Sequence, residues 1–392
     1  DGSLAPAFAA VTNTNGDPDG LIRAGNERVL RARFNDARFF WEVDQQKKIF
    51  DRVEDLAKIT YQAKIGSYKE KMLRTKQLAG QIAILEGVVQ PDLVENVLRA
   101  AELAKTDLTT DMVKEFTELQ GVVGGLYAAA QGENETVAAA IYEHYKPVSM
   151  DDSIPGTLAG QILSLADRID TLREHFKVGL APTGSKDPFA LRRAAQGVIK
   201  ILFESKLPIP LFPFADDVRD LRPFLEERIS HYLREIQGYP YDEVNAALAA
   251  NVKLVSDLAA RIEAIHQVRP TPDFEPLAAS FKRIKNILRQ AQFGETRQPD
   301  PALLSAGPER ELYQAFIAVR DNLEKTGSYA AKLEQIASLR PQVDLFFDKI
   351  LVNDPDPVVR QNRLALLHSL LTEFSTIADF SEIVTQGGSA QN

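Results

Sequence analysis

The run Thr183-Gly184-Ser185-Lys186-Asp187-Pro188-Phe189-Ala190-Leu191-Arg192-Arg193 has the residue types that hold anions. Asp187 suits a helix N-cap and Pro188 a first helical position. The loop before them supplies a flexible glycine, two hydroxyls and Lys186 close to a helix start, where the backbone dipole favours negative charge. Arg192 and Arg193 add cations within the first turns. Such a loop either recognises a phosphate or caps its helix and nothing more. The GxxxxGKS/T spacing of a Walker A loop is absent.

Two carboxylate patterns offer other chemistry. Asp107, Asp111 and Glu115 recur at four-residue intervals, so on a continuous helix they share one face, opposite Leu108, Met112, Phe116 and Leu119. That stripe either meets a cation or basic partner, or is a wet face with Lys114 as counter-charge. Glu143-His144-Tyr145 closes a helix, and Asp167 and Asp170 lie three apart within another. His144 with Asp107 and one of these aspartates can converge as a metal or phosphate site, or His144 is simply satisfied by a carboxylate. One neutral His plus carboxylates is thin ligation for a transition metal.

Cationic residues form a third pattern. Residues 20–80 hold 14 Lys and Arg against 8 Asp and Glu, although the whole chain carries a net charge of −9. Phe281–Gln292 is amphipathic, with Phe281, Ile284, Ile287 and Leu288 inward and Lys282, Arg283, Lys285 and Arg289 outward. Arg320, Asn322, Arg340, Arg360, Asn362 and Arg363 stud the later helices. Arg and Asn suit phosphates and the base edges of single-stranded RNA loops, though no RRM or KH signature accompanies them. Read as composition alone, these charges are solvated helix faces.

The rest of the chain must position these groups. Its 392 residues exceed one ordinary core and imply two or three domains at about 150 residues each. The absence of Cys removes disulfides, thiolate metal sites and thiol nucleophiles together. The five His include no HExxH-type pair, and no stretch is apolar enough to span a membrane. The start, Asp1-Gly2-Ser3, has neither Met nor a signal-peptide pattern, so the chain reads as an intracellular fragment.

Residues 1–20 read as one strand around Phe8, Val11 and Thr12, then a turn-rich loop. A helix follows from Leu21, carrying Val29, Leu30, Phe34, Ala37, Phe40 and Trp41 on one stripe. A second helix fits 42–64, and Gly66-Ser67 breaks the chain before another near Lys69. From 70 to 270 the pattern is almost wholly helical, with breakers at Gly87, Pro91, Gly121, Pro147, Pro155-Gly156 and Pro182-Thr183-Gly184. The Pro-rich segment 204–216 makes a boundary, 294–308 a loop, and helices resume at Glu309–Lys325, Tyr329–Leu339, Pro341–Ile350 and Pro357–Phe374. The fold class is mainly α, two helical bundles behind a small truncated α+β segment.

Several of these runs, taken in order, resemble the β subunit of the bacterial tetrameric glycyl-tRNA synthetase. They are Gly25-Asn26-Glu27-Arg28-Val29-Leu30-Arg31-Ala32-Arg33-Phe34-Asn35-Asp36-Ala37-Arg38-Phe39-Phe40-Trp41, Lys105–Gly121, Glu143-His144-Tyr145, Ala166–Leu172 and Pro182–Arg193. The resemblance runs from Asp1 to about Ser381, matching the later portion of a longer family chain.

The resemblance implies a division of labour. The family's α subunit carries the glycine–adenylate chemistry, with ATP and Mg expected there. The β subunit binds tRNA(Gly) within an α2β2 cytoplasmic assembly. It further implies a remnant α+β domain and basic linker over 1–75, an HD-like domain over 76–250 and a DALR-like anticodon-binding domain over 251–385, while Gly387-Gly388-Ser389-Ala390 reads by composition as a disordered tail over 386–392. In the HD-like part Thr106-Asp107 stands where a metal-binding His-Asp pair would be, and only His144 with Asp167 or Asp170 matches other ligand positions. No metal, cofactor or catalytic residue is therefore expected on this chain.

Arg28, Arg31, Arg33, Lys64, Lys69, Lys71, Arg74, Lys186, Arg192 and Arg193 would face the acceptor arm. Lys282, Arg283, Lys285, Arg289, Arg320, Arg340, Arg360 and Arg363 would approach the anticodon stem and loop. The rival readings are a metal-dependent phosphohydrolase using Asp107, His144, Asp167 and Asp170, and a helical scaffold that docks another protein by an acidic face.

Overall fold

A helix starts where something takes its first free amides. In the computed structural model, which describes residues 5–88, 90–250, 252–294 and 297–384, the Asp17 carboxylate does this for the first helix. It accepts from the amides of Ile22 (3.1 Å) and Arg23 (2.8 Å), and α1 (Leu21–Asp44) follows. Only its later turns are packed. Trp41 stacks on Tyr127 at 4.8 Å, while Val29, Phe34 and Phe39 stay exposed. The strand expected around Phe8 is absent among the described residues, where no ladder partner exists for it and Val11 is fully exposed. The tail expected over 386–392 lies outside the described residues.

The helix expected over 42–64 does not form. α1 runs on to Asp44, whose buried carboxylate accepts from the amides of Asp111 (3.0 Å) and Met112 (2.9 Å) and pins the chain there. The chain then passes through 3₁₀ turns at Phe50–Arg52 and Glu54–Lys58 into an antiparallel pair, β1 (Thr60–Gln62) and β2 (Gly66–Ser67). Ile49, Val53 and Leu56 still face inward as their spacing requires.

The first bundle is built from α2 (Tyr68–Ala83), α3 (Leu93–Leu103), α4 (Asp111–Glu115), α5 (Val122–Ala130), α6 (Glu135–Glu143), α7 (Leu158–Lys177) and α8 (Leu191–Ser205). Helices α3 and α7 pack on each other and on both α2 and α6, α5 lies on α6, and α8 lies on α7. Ser67 and Glu70 form a reciprocal capping box at the start of α2. Gly125 permits the α5–α6 contact, because a Cβ there would stand 2.7 Å from the Ala138 carbonyl oxygen. Residue 75 falls inside α2, which packs as one piece.

Further on come α9 (Leu221–His231), α10 (Tyr241–Leu248), α11 (Val255–Val268) and α12 (Phe274–Gln290). They are followed by α13 (Pro308–Leu323), α14 (Tyr329–Ala337), α15 (Arg340–Lys349) and α16 (Pro357–Ser375). Helix α12 packs on α15 and α16, α13 on α15, and α11 on α14. Their core is aromatic: Phe281 lies 5.2 Å from Phe380 and Phe316 5.7 Å from Phe374, ring centre to ring centre. Helix α8 touches α11, so the two bundles meet.

Candidate nucleic-acid interface and a buried lysine centre

The first bundle places charge where its four packed helices converge. Lys71 comes from α2, Lys105 from just past α3, His144 caps the end of α6, and Asp167 and Asp170 lie on α7; all five are buried. The two lysines share one carboxylate. Asp167 Oδ1 lies 3.1 Å from Lys71 Nζ, and Asp167 Oδ2 accepts from Lys105 Nζ at 3.2 Å. Lys71 also donates to Asp170 Oδ2 (3.1 Å), Thr171 Oγ1 (2.9 Å) and the Asp167 carbonyl (3.0 Å). Arg74 closes on Asp170 Oδ1 at 2.6 Å.

His144 Nδ1 lies 2.6 Å from the Ile141 carbonyl, which only accepts, so Nδ1 carries the proton. Nε2 is left with its lone pair, and Lys105 Nζ donates to it at 2.9 Å while standing 3.9 Å over the Tyr145 ring. Burial and the Lys105 ammonium push His144 down to about 3. Burial pulls Lys105 down to about 8, only partly offset by Asp167. Lys71 is as buried, yet two carboxylates hold it above the ordinary lysine range. Asp167 sits well below the ordinary carboxylate range because both ammonium groups outweigh its burial.

Asp107 does not join a metal-type cluster. Its Oδ2 accepts from the Gly121 amide (2.5 Å), and burial pushes it up to about 6. Thr106 donates to the Leu103 carbonyl at 2.7 Å. Lys105, which the sequence did not single out, is the residue that faces the centre, and Lys71, expected at a nucleic-acid surface, is buried beside it. The carboxylate stripe also dissolves. Thr110 is extended and caps α4, so Asp107 lies on a separate turn from Asp111 and Glu115. Asp111 pairs with Lys114 at 2.8 Å and Glu115 with Arg33 at 2.6 Å.

A groove of about 310 Å³ opens over this centre, lined by His144, Asp167, Arg168, Thr171 and the exposed Arg193 among others. Arg168 donates to the carbonyls of Tyr145 (2.7 Å) and Pro147 (2.9 Å), a role the sequence did not disclose. At the 183–193 loop, which reads either as a phosphate site or as a cap, the helix start is met by a carboxylate of the loop itself. Helix α8 starts at Leu191, and the Asp187 carboxylate accepts from the amides of Leu191 (2.8 Å) and Arg192 (2.9 Å). The Arg192 guanidinium folds back on the Gly184 carbonyl at 2.6 Å, whereas Lys186 and Arg193 project outward.

In the second bundle α12 turns Phe274, Leu277, Phe281, Ile284 and Leu288 into the core. Lys282, Arg283, Lys285 and Arg289 consequently share its exposed side. Arg283 lies over the Phe347 ring of α15 at 4.2 Å, and Arg289 donates to Asn286 at 3.1 Å. Lys285 is drawn to Asp379 (2.8 Å) and Ser381 (2.9 Å). Arg340 reaches this neighbourhood through Asp273 at 2.9 Å, Arg320 pairs with its neighbour Asp321, and Arg360 leans on the Asp354 carbonyl. Arg363 is the exception: it is buried, 3.3 Å from Glu309 and 2.7 Å from Asp354, and so belongs to the core.

On the N-terminal side Arg28, Arg31 and Lys64 are exposed with no acidic partner among the described residues, and Lys69 pairs with Glu54. No group of three or more His, Asp or Glu among the described residues is placed to hold a metal, and no described helix is long and apolar enough to cross a membrane.

Comparison with known proteins resolves into two segments. Residues 1–249 match the family described as glycyl-tRNA synthetase beta subunit, and residues 277–380 match the DALR anticodon binding domain. Named relatives are glycine--tRNA ligase beta subunits. That of Acidobacterium capsulatum is 51% identical over 98% of this chain, that of Syntrophus aciditrophicus 40% over 98%, and that of Desulforapulum autotrophicum 39% over 97%. The chain spans 58% of the length of each of these three relatives.

Proposed function

Because the chain belongs to the glycyl-tRNA synthetase β-subunit family, we propose that it is a tRNA-binding portion of glycine–tRNA ligase, positioning tRNA(Gly) for aminoacylation by an α subunit. The observation that carries this reading is the placement of Lys282, Arg283, Asn286 and Arg289 on one exposed helix side within the DALR-matched segment. Guanidinium and amide groups beside an aromatic ring suit a phosphate backbone with splayed bases. Arg28 and Arg31 on α1, Lys64 between β1 and β2, and Lys186 and Arg193 around the start of α8 supply cations for the acceptor arm.

The work is positional. Phosphate contacts orient the tRNA, and bond-making with ATP and Mg belongs to the α subunit of a cytoplasmic α2β2 assembly. The phosphohydrolase reading is disfavoured because the ammonium groups of Lys71 and Lys105 sit among the carboxylates and imidazole that a metal would need. A docking scaffold loses its main support once the 107–115 stripe is broken up.

Filter binding at stepped salt tests the proposal. The chain is expected to prefer tRNA(Gly) over bulk tRNA, with affinity falling about one log unit per log unit of salt for each phosphate contact. Equal affinity for both RNAs at low salt removes the specificity claim.

A further inference from the structure

We propose that the ammonium groups of Lys71 and Lys105 occupy the two cation positions of the helical centre, so that it is charge-complete without a divalent metal and does not load one. The geometry is that of a two-cation site. Asp167 bridges, one oxygen 3.1 Å from Lys71 Nζ and the other 3.2 Å from Lys105 Nζ. His144 is oriented as a metal ligand is, with Nδ1–H on a backbone carbonyl and the Nε2 lone pair aimed inward, but its lone pair meets Lys105 Nζ at 2.9 Å. Asp170 and Thr171 complete the shell of Lys71.

A metal ion needs about 2.0–2.2 Å to imidazole nitrogen and carboxylate oxygen, and so would have to lie where Lys105 Nζ now stands. The lysine side chains are 3% and 4% exposed, which leaves them no room to swing into solvent. Two fixed positive charges also equal one divalent ion, so a metal added beside them would meet repulsion rather than an unfilled demand.

Around His144 the charged groups are Lys105 from the segment after α3 and Asp167 and Arg168 from α7, with Lys71 from α2 and Asp107 acting on Lys105 in turn. Tyr145 follows it directly, its ring centre 4.0 Å from the imidazole. Lys105 is the cation in direct contact, so the His144 titration reports its presence.

Two measurements test the proposal on the whole chain, neither involving tRNA, so the outcome is independent of the tRNA reading. Metal analysis after growth with added manganese, iron and zinc is expected to find far less than one ion per chain. A full equivalent that disappears in His144→Ala overturns the proposal. Histidine-selective NMR is expected to show wild-type His144 neutral, protonated on Nδ1, down to pH 4. In Lys105→Met its titration rises toward the ordinary value of about 6.5 without reaching it, since burial persists. A His144 that titrates near 6.5 in the wild type, or identically in both proteins, also overturns it.

Discussion

The two bundles use the same side chains in opposite ways. In the first, Lys71, Lys105 and Arg74 point inward and are consumed by Asp167, Asp170 and His144. In the second, Lys282, Arg283 and Arg289 point outward, and none of the three has a carboxylate partner among the described residues. A lysine in a sequence therefore carries no fixed meaning. Burial with a shared carboxylate makes it part of the scaffold, and exposure beside an aromatic ring makes it available to a polyanion. Substitutions that separate stability from binding divide the two groups.

The largest effect is expected at Lys71. Removing one partner of a buried ion pair leaves uncompensated charge, at a cost of about 3–5 kcal/mol. Lys71→Met leaves Asp170 with Arg74 alone and Asp167 with Lys105 alone, and denaturant unfolding is expected to show a loss toward the low end of that range. Lys105→Met is expected to cost much less, because Lys105 holds only one carboxylate oxygen and its own charge is disfavoured by burial. Equal losses for the two variants break the picture of one firmly gripped and one weakly gripped ammonium.

A smaller effect follows from Asp107. Its folded-state titration is raised to about 6, so the stability tied to its protonated form is complete below the unfolded value near 3.8 and is lost as pH rises through about 6. The difference in stability between wild type and Asp107→Asn is expected to shift in favour of the variant between pH 4 and 6. The shift should be on the order of 2–3 kcal/mol and level off above pH 7. A pH-independent difference between the two proteins means that the carboxylate is not buried as described.

Periodicity exposed much of this architecture. The stripe of α12 is legible because its apolar residues recur at three and four positions, and Phe281, Ile284 and Leu288 of that set are buried while Ile287 is half-buried. The same signal misled over 42–64. Ile49, Val53 and Leu56 are spaced as on a helix, but a buried Asp44 tied to the Asp111 and Met112 amides ends α1 and forces turns. That tie joins residues 67 and 68 apart, beyond the reach of any local pattern. Lys105 was illegible for the same reason, since its carboxylate lies 62 residues away in the chain. Arg363, adjacent to Asn362 on a helix, has the sequence context of a nucleic-acid contact, but its partner Glu309 lies far back in the chain and holds it in the core.

The finest discrimination lies within α12. Arg283 and Lys285 are two residues apart and both exposed, yet Arg283 rests on an aromatic face while Lys285 is tied to Asp379 and Ser381. Arg283→Ala is expected to leave unfolding within about 0.5 kcal/mol of wild type, to weaken tRNA(Gly) binding, and to reduce the salt slope by about one contact. Lys285→Ala should do the reverse, removing an exposed pair worth about 0.2–1 kcal/mol that fastens the turn after α16, with little change in salt slope. If both variants lose binding equally, the carboxylates at 379 and 382 yield to the RNA, and the interface extends further along the helix than the free cations mark it.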